Sequence, residues 1–437
     1  MRLAALSILF AILTARAGEP VADNWPHWRG PLANGTAPNA NPPTIWDAGT
    51  NVKWMADIPG RGSATPIVWG DQVFVVTAVE TDRVAKLEDR PKPDPRFKVN
   101  TTTPTNYHQF IVLSLDRQTG KQRWRAVAAE KVPHEGHHET HSYAAGSPTT
   151  DGKRLYVSFG SFGNFAYDLT GKLLWSRDLG RLNTRLGWGE AVTPVIHGDS
   201  LLLNWDQEAD SRLVCLDSAT GKTKWEVPRD EKTSWNTPLV VEHKGTTQVI
   251  LNGTNRVRSY DLANGKELWT CAGMSVNAIP SAVAADGVAS IMSGYRTFAA
   301  VAVSLNARGE VGPDNGLLWK YGKGTPYVPS PLLSNGRLYF TQANVNLLTV
   351  WDAKSGKPLL EQERLTGARS FYASPVAAAG RVYLVGQDGT TLVFKEGDRP
   401  ELLATNKLND AIDASPAVAG KQLFLRAHGR VYCIEGK

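Results

Sequence analysis

Cysteine is scarce in this chain, and its three copies are Cys215, Cys271 and Cys433 in 437 residues. No Cys-x-x-Cys motif and no adjacent pair occurs, which excludes a zinc knuckle and a dithiol redox site. An odd number leaves at least one thiol unpaired in an exported protein. Two of the three lie in apolar strand patterns, so we interpret them as small buried side chains.

Long apolar runs are also rare. The stretch from Leu3 to Leu13 follows Arg2, is too short to span a bilayer, and precedes the small-residue motif at 15–17. We therefore expect residues 1–17 to be a signal peptide and the protein to be periplasmic or extracellular. No cysteine follows the apolar run, so a lipid anchor is not predicted, and no second run predicts a transmembrane segment.

Clusters of one charge sign are missing. The formal net charge is +6, and the basic residues are scattered over turns. The footprint of a nucleic-acid-binding protein is therefore absent, and we expect a soluble monomer with no nucleic-acid partner.

What the sequence does have is a repeat. A small polar residue sits beside a proline ahead of a short apolar strand, and most prolines follow the previous one by about 44 residues. The pairs are Thr65-Pro66, Ser147-Pro148, Thr193-Pro194, Thr237-Pro238, the inverted Pro280-Ser281, Ser330-Pro331, Ser374-Pro375 and Ser415-Pro416. A period of this length indicates a ring or array of equal structural units.

One unit shows four strands. Residues 373–395 hold three short strands, with the hairpin signal Asp388-Gly389 between the last two. A fourth strand follows an Asp-x-x-x-Gly-Lys turn and carries a tryptophan, as in Asp116–Trp124, Asp217–Trp225 and Asp261–Trp269. Eight four-stranded antiparallel units predict an all-β, eight-bladed propeller, with each tryptophan packed between neighbouring blades.

The ring boundaries can be predicted too. The last copy ends near Cys433 without its tryptophan strand, while residues 51–55 form a tryptophan strand before the first copy. We expect this N-terminal strand to close the ring, so that residues 51–437 form the propeller. Residues 18–50, which contain Trp25, Trp28 and Trp46, should pack on the ring as an extension.

The first copy carries an insertion at about 77–109. Its Pro-rich, charged stretch, residues 90–96, predicts an extended surface excursion. It is either a tolerated loop or an element that docks a partner.

These repeats resemble the PQQ-like β-propeller superfamily. The resemblance rests on the Gly-Lys-x-x-Trp turns and covers residues 51–434. Segments 24–31, 228–238 and 253–261 are similar to those of bacterial exported PQQ-like repeat proteins. A fold of this kind hosts many activities, so function depends on the site.

The resemblance implies two alternatives. Quinoprotein alcohol dehydrogenases hold pyrroloquinoline quinone (PQQ) and Ca²⁺ in the central funnel and commonly carry a disulfide between adjacent cysteines. The other branch is similar to the scaffold protein of outer-membrane β-barrel assembly, which binds proteins and no quinone. This chain lacks the adjacent cysteines and the large insertions of the dehydrogenases. We therefore expect a non-catalytic scaffold without a cofactor, with a protein partner at the rim or loops, and keep a PQQ- and Ca²⁺-dependent oxidoreductase as the alternative.

Residues just ahead of each proline should lie at one rim of the central channel. They form a mixed polar and aromatic set: Glu190, Asn236, Asn277, Tyr327, Tyr372 and Asp413. Their oxygen atoms are the hard ligands that Ca²⁺ prefers, so they are the candidate cofactor site, with Asp413 or Glu190 as catalytic base if the protein is an enzyme. The alternative is the polar, solvated rim of any propeller.

A histidine-rich segment precedes the second unit. It contains His134, His137, His138 and His141. Their imidazole side chains are suitable ligands for Zn²⁺ or Cu²⁺. Gly136 argues against one helix presenting them, and the order matches no familiar zinc motif. The segment is therefore either a metal site or a polar loop between blades.

Overall fold

The structure is a computed structural model that describes residues 23–92, 101–342 and 345–436. The predicted signal peptide, residues 1–17, and the middle of the insertion, 93–100, lie outside the described residues. The described chain forms eight sheets, each with a core of four antiparallel strands, so the prediction of an all-β, eight-bladed propeller is confirmed. Helical structure in this part of the chain is confined to single turns such as Leu87–Asp89, Gly160–Phe162 and Arg185–Gly187.

The first four blades follow the chain in order, each strand pairing with the next. Blade 1 contains β3 (Ile67–Trp69), β4 (Gln72–Val84), β5 (Asn106–Asp116) and β6 (Gln122–Lys131). Blade 2 contains β7 (Thr149–Thr150), β8 (Arg154–Ser158), β9 (Asn164–Asp168) and β10 (Leu173–Arg177). Blade 3 contains β11 (Val195–His197), β12 (Ser200–Trp205), β13 (Arg212–Asp217) and β14 (Thr223–Pro228). Blade 4 contains β15 (Leu239–His243), β16 (Thr246–Leu251), β17 (Arg256–Asp261) and β18 (Glu267–Ala272).

The last four blades repeat the pattern, with two additional short strands and one strand supplied from the N-terminal side. Blade 5 contains β19 (Val283–Ala285), β20 (Val288–Ser293), β21 (Ala299–Ser304) and β23 (Leu317–Tyr321), and the intervening β22 (Gly309–Glu310) joins the edge of blade 4. Blade 6 contains β24 (Leu332–Ser334), β25 (Arg337–Gln342), β26 (Leu347–Asp352) and β27 (Pro358–Arg364). Blade 7 contains β28 (Val376–Ala378), β29 (Arg381–Val385), β30 (Thr390–Lys395) and β31 (Glu401–Lys407), with β1 (Thr36–Ala37) at its inner edge. Blade 8 contains β32 (Ala417–Ala419), β33 (Gln422–Arg426), β34 (Arg430–Glu435) and, from the N-terminal side, β2 (Val52–Asp57).

The ring closes between the two ends of the chain. Strand β2 pairs antiparallel with β34, with Trp54 opposite Cys433. The indole Nε1 of Trp54 donates to the carbonyl of Arg117 in blade 1, at 2.9 Å. The predicted closure by the N-terminal strand is therefore observed, and its tryptophan also joins blade 8 to blade 1.

The same tryptophan contact joins other neighbouring blades. Each indole lies on the glycine of the next Asp-to-Gly turn, which is one residue shorter at 168–171 than elsewhere. Each also donates to a carbonyl of that turn: Trp124 to Leu169, Trp175 to Ser218, Trp225 to Leu262 and Trp319 to Ala353. Turn glycines have left-handed backbone conformations, as at Gly221 with a φ of 69°. The glycine is needed twice, because a β-carbon there would strain the turn and collide with the ring.

Blade 4 departs from this pattern. Trp269 is fully buried, but its Nε1 donates to Gln248 Oε1 in its own blade. Strand β22 runs parallel to β18 and pairs Gly309 with Trp269. A short extra strand thus covers the position where a neighbouring turn would otherwise dock.

The N-terminal extension lies along the inner strands of the ring. Trp25 pairs with Val68 of blade 1, and β1 pairs in parallel with β28 of blade 7. The guanidinium of Arg29, which is 2 % exposed, donates to the carbonyls of Pro331 and Pro375. This segment therefore crosses the ring and ties separate blades together.

The insertion of the first repeat begins as an extension of a hairpin. Pairing of β4 with β5 continues past Val76 and Phe110, the predicted limits, to Val84 and Asn106. The additional residues are thus partly taken up by longer strands, because the alternating side chains of this segment continue the ladder.

Candidate binding site

The loops around the ring axis, including the segments that lead into the inner strands, enclose a central channel with a volume of about 560 Å³. Two kinds of side chain dominate its wall. The first kind is the set of hydroxyl residues beside the repeated prolines, here called the hydroxyl belt: Thr65, Ser147, Thr193, Thr237, Ser281, Ser330, Ser374 and Ser415. The second kind is a group of partly buried aromatic residues, here called the aromatic rim: Trp188, Trp235, Tyr295, Tyr327 and Tyr372.

The hydroxyl belt joins the blades around the channel. At successive joints a backbone N–H donates to the hydroxyl of the following blade: Thr65 to Ser147, Ser147 to Thr193, Thr237 to Ser281, Ser281 to Ser330, Ser330 to Ser374 and Ser374 to Ser415, at 2.8–3.0 Å. Ser281 takes its place in the belt although its proline precedes it. The repeated Ser/Thr therefore has a structural role that the sequence pattern did not reveal.

One end of the channel is covered by the N-terminal extension. Trp28 lines the channel, and the carbonyl of the nearby Pro26 accepts hydrogen bonds from Thr149 Oγ1 and from the N–H of Thr150. Trp28 therefore forms part of the floor, while four residues of the aromatic rim belong to the loops that precede the prolines and Tyr295 belongs to the β20–β21 loop. The channel has a covered end and an end edged by aromatic rings.

The aromatic rim is held by contacts within the loops. Tyr295 stacks on Tyr327 with ring centroids 4.8 Å apart, and Trp235 Nε1 donates to the carbonyl of Gly189 at 2.8 Å. Burial raises the pKa of Tyr327 to about 12, so its phenol is neutral at physiological pH. Partly exposed Trp and Tyr rings in fixed positions are the residue types that anchor binding partners.

The loop that carries Trp235 rests on a buried ion pair. Arg229 Nε donates to Asp206 Oδ1 at 2.8 Å, and both side chains are 0 % exposed. Asp206 Oδ2 also accepts from Ser234 Oγ at 2.6 Å, directly before Trp235. Arg229, in the Pro-Arg-Asp-Glu segment at 228–231, thus helps to hold the loop that carries Trp235 in place.

The six predicted rim residues do not lie together. Tyr327, Tyr372 and Asp413 line the channel. Asn236 is 2 % exposed, and its amide bonds to Ser234 Oγ and the carbonyl of Asn252.

Asn277 and Glu190 complete the predicted set. Asn277 is buried beside Tyr327, at a left-handed φ of 58°. Glu190 turns away from the channel into a separate cavity. The predicted oxygen ligands therefore do not converge on one point of the channel, and this arrangement does not fit Ca²⁺ and a quinone held as the resemblance implies.

Asp413 is the channel carboxylate. Its Oδ2 accepts from His428 Nε2 and its Oδ1 from Gln387 Nε2, both at 2.7 Å. Burial acts to raise the pKa of Asp413, but the hydrogen bonds from His428 and Gln387 outweigh burial and hold that pKa below its ordinary value. Asp413 is thus ionised at neutral pH, and each of its carboxylate oxygens accepts a hydrogen bond.

The four histidines face different partners. His134 Nε2 lies 2.7 Å from the Leu182 carbonyl, and His141 Nε2 lies 3.1 Å from the Glu190 carbonyl. His137 Nδ1 approaches the His138 carbonyl, and His138 Nδ1 lies 2.8 Å from Thr140 Oγ1. Burial lowers the pKa of His134, His137 and His138, and lowers that of His141 to about 4. All four are therefore neutral at physiological pH.

One trio of ligand atoms does converge. Among the described His, Cys, Asp and Glu side chains, His134, Glu135 and Glu190 place one ligand atom each within 4.8 Å of the others. Burial raises the pKa of Glu135 to about 7, and burial with repulsion from Glu135 raises the pKa of Glu190 to about 8. The histidine-rich segment of the sequence contains His134 and Glu135, whereas Glu190 was predicted separately, as a residue of the channel rim.

Two rim tryptophans, Trp188 and Trp235, were missed by the sequence analysis. Both lie within two residues of a predicted rim position, Glu190 and Asn236. Both tryptophans would have been predicted if more residues before each proline had been considered, because a loop at a channel mouth exposes several residues.

The fold and the docking turns define this protein as a PQQ-like β-propeller. The family described as outer membrane protein assembly factor BamB matches residues 108–302 and 301–402. The chain belongs to that family. In the part of the chain that the structure describes, no helix is long and apolar enough to cross a membrane.

Solved structures share the fold at low sequence identity. BamB from Moraxella catarrhalis is 13 % identical, over 83 % of this chain and 100 % of that chain, with a TM-score of 0.56. The computationally designed protein Ika8 is 14 % identical, over 77 % of this chain and 95 % of its own, with a TM-score of 0.53. The quinohemoprotein alcohol dehydrogenase ADHIIG from Pseudomonas putida HK5 is 12 % identical, over 95 % and 81 %, with a TM-score of 0.50. At these identities, the structural similarities show only that the fold is shared. A search of the curated proteins found no significant match to the sequence.

Proposed function

We propose that this protein is a non-catalytic binding propeller that presents its aromatic rim and the surrounding loops to a protein partner. The observation that carries the proposal is the channel itself, about 560 Å³ in volume, covered at one end by Trp28 and edged by aromatic rings at the other. A concave site with fixed Trp and Tyr anchors suits an inserted peptide segment or loop of a partner. Membership of a family named for an assembly factor supports the same class of function.

Export of the protein is part of the proposal. The apolar segment 3–13 and the small-residue motif after it support a signal peptide. The partner would then be another periplasmic or extracellular protein.

The alternative function is a quinoprotein oxidoreductase. It would need predicted rim residues with hard oxygen atoms, among them Glu190, Asn236 and Asp413, to hold Ca²⁺ in the channel. Only Asp413 of these three lines the channel, and its carboxylate is already bonded to His428 and Gln387. The geometry therefore favours binding over quinone chemistry.

The proposal is tested by site-specific photocrosslinking in the native host. A photoreactive phenylalanine analogue replaces Tyr372 in the rim or, as a control, Leu402, which is 48 % exposed on the outer strand of blade 7. We expect one discrete adduct from the rim position, lost when Trp235→Ala and Tyr295→Ala are added, and no such adduct from position 402. Equal adducts from both positions, or none from the rim, would contradict the proposal.

A further inference from the structure

A small cavity lies outside the channel, between two loops that lead to its mouth. His134 and Glu135 belong to the loop between blades 1 and 2, and Glu190 belongs to the loop between blades 2 and 3. The cavity is lined by Glu135 and Glu190, among other residues, and has a volume of about 10 Å³. That is room for one water molecule or one ion, and too little for an organic substrate.

One carboxylate oxygen in this cavity has no hydrogen-bond partner. The side chain of Glu190 is 8 % exposed, and its Oε1 is buried and unpaired. Its other oxygen, Oε2, accepts from the N–H of Ser161 at 2.7 Å. A buried, unpaired carboxylate oxygen is costly unless a cation or donor reaches it.

The backbone is shaped around this carboxylate. A β-carbon on Gly160 would lie 1.8 Å from Glu190 Oε2, and Gly160 has a φ of 56°. Glu135 is held in turn by the hydroxyl of Thr184 at 2.5 Å and by its N–H at 3.1 Å. Both carboxylates are therefore fixed by neighbours, and both residues line the cavity.

The distances match a metal centre better than an ion pair. His134 Nε2 and Glu190 Oε1 are 3.8 Å apart, beyond hydrogen-bond distance. Ligand atoms about 2.0–2.1 Å from a tetrahedral Zn²⁺ lie about 3.4 Å from one another. Since all three ligand atoms lie within 4.8 Å of each other, small side-chain rotations would bring them to that spacing.

We propose that His134, Glu135 and Glu190 bind one divalent transition-metal ion, of the class of Zn²⁺ or Mn²⁺. One imidazole and two carboxylates form a mixed nitrogen and oxygen ligand set that suits these ions. Ca²⁺ is disfavoured because it takes six to eight oxygen ligands at longer distances. The proposal is independent of the function proposed for the channel.

Binding displaces protons and replaces one hydrogen bond. The neutral imidazole of His134 changes tautomer: Nε2, 2.7 Å from the Leu182 carbonyl, loses its proton to solvent, Nδ1 takes up a proton from solvent, and the freed Nε2 electron pair ligates the metal. The Leu182 carbonyl then lies beside the ion as a further oxygen donor. Any proton on Glu135 or Glu190 is also released, and the ion supplies the positive charge that these buried carboxylates lack.

The ion would tie together two loops of the channel mouth. The carbonyl of Glu190 lies 3.1 Å from His141 Nε2, and the N–H of His138 donates to the carbonyl of Trp188. His138, His141 and Trp188 all line the channel. The metal is therefore placed to set the position of the rim without itself contacting a channel ligand.

Isothermal titration of chelator-treated mature protein with ZnCl₂ and MnCl₂ tests the proposal. We expect one ion per chain and a loss of affinity of more than about 100-fold in Glu190→Gln and Glu135→Gln, since loss of a mere supporting residue already costs about 10–100-fold. Matched controls are Glu139→Gln, an exposed glutamate of the same loop, and His138→Ala, an imidazole outside the trio. Both controls should bind as the wild type does.

A second measurement distinguishes a variant that has lost a metal ligand from a variant that has misfolded. Zn²⁺ should raise the thermal unfolding midpoint of the wild type and of both controls, but it should not raise that of Glu190→Gln. The circular-dichroism spectrum of Glu190→Gln should match that of the wild type, which shows that the variant is folded. The proposal fails if the wild type binds no ion, if Glu190→Gln binds with wild-type affinity, or if His138→Ala alone abolishes binding. If Glu190→Gln does not fold, the test uses the wild type and Glu135→Gln. The proposal then fails if the wild type binds no ion or if Glu135→Gln binds the ion with wild-type affinity.

Discussion

At the residue scale, the contact between an indole and a turn glycine joins neighbouring blades at five places in the described chain. Its geometry leaves no room for a side chain, because a β-carbon on Gly221 would lie 2.8 Å from the ring of Trp175. Gly245, in a hairpin turn with a φ of 79°, has no neighbouring atom within 4 Å. Alanine substitutions at these two glycines therefore distinguish the cost of backbone strain from the cost of losing the contact with the indole.

We predict that Gly221→Ala lowers the free energy of unfolding more than Gly245→Ala does. Gly245→Ala should cost about 1 kcal/mol, since only the left-handed backbone is strained. Gly221→Ala should cost about 1–3 kcal/mol more, because Trp175 must move. Urea unfolding followed by tryptophan fluorescence measures both, and equal losses would show that the indole contact contributes nothing.

A second residue-scale prediction concerns Asp413 and pH. Its pKa in the folded protein is below the ordinary value of 3.8, so its ionised form stabilises the fold above that pH, and this contribution is lost as the pH falls through the lowered pKa. Asp413→Asn should reduce the free energy of unfolding at pH 7 by about 1–3 kcal/mol. The difference from wild type should shrink as the pH falls below 3.8, and a difference independent of pH would contradict the assignment. Asp398→Asn, at a carboxylate 59 % exposed and paired with Arg337, is the matched control and should change stability little.

At the scale of elements, the loop at 228–238 depends on buried charge. We predict that Arg229→Met costs about 3–5 kcal/mol, because it leaves Asp206 buried without its cation. Adding Asp206→Leu should restore much of that stability, since no unpaired charge remains. The control is Arg256→Met, which breaks a solvent-exposed pair with Glu310 and should cost less than about 1 kcal/mol. A double variant as unstable as Arg229→Met alone would show that packing, not charge, holds the loop.

Loops and added strands are also where the sequence was least informative. The strands, turns and docking tryptophans could be predicted because each repeats at one period and needs only local chemistry. The direction of Glu190 could not, since it depends on left-handed residues such as Leu186 and on Ser161 in the preceding blade. Strand β22 was missed for a similar reason, because two residues that pair with the neighbouring blade carry no periodic signal.

At the scale of the whole molecule, the ring is closed by strands from opposite ends of the chain. Trp54 lies on β2, pairs opposite Cys433 and donates to Arg117 in blade 1, so three segments meet at this seam. Because the residues of the aromatic rim come from loops of different blades, we expect the rim to keep its shape only while the ring is closed. Closure is therefore a condition for the function that we propose.

We predict that Trp54→Ala opens the seam and lowers the free energy of unfolding by about 3–5 kcal/mol. Hydrogen exchange should become faster in β34 and β5, on both sides of the seam. The control, Trp225→Ala, should speed exchange between blades 3 and 4 instead. Faster exchange confined to β2 would show that the ring holds without this joint.

The central claim, that the channel binds a partner and does no quinone chemistry, is tested most directly by a titration. Chelator-treated mature protein is incubated with Ca²⁺ and PQQ, freed of unbound quinone, and its quinone absorbance is measured per chain. We predict no stoichiometric quinone, because Glu190 and Asn236 lie outside the channel wall and Asp413 is already bonded. One quinone per chain, reduced to background by Asp413→Asn, would contradict the account.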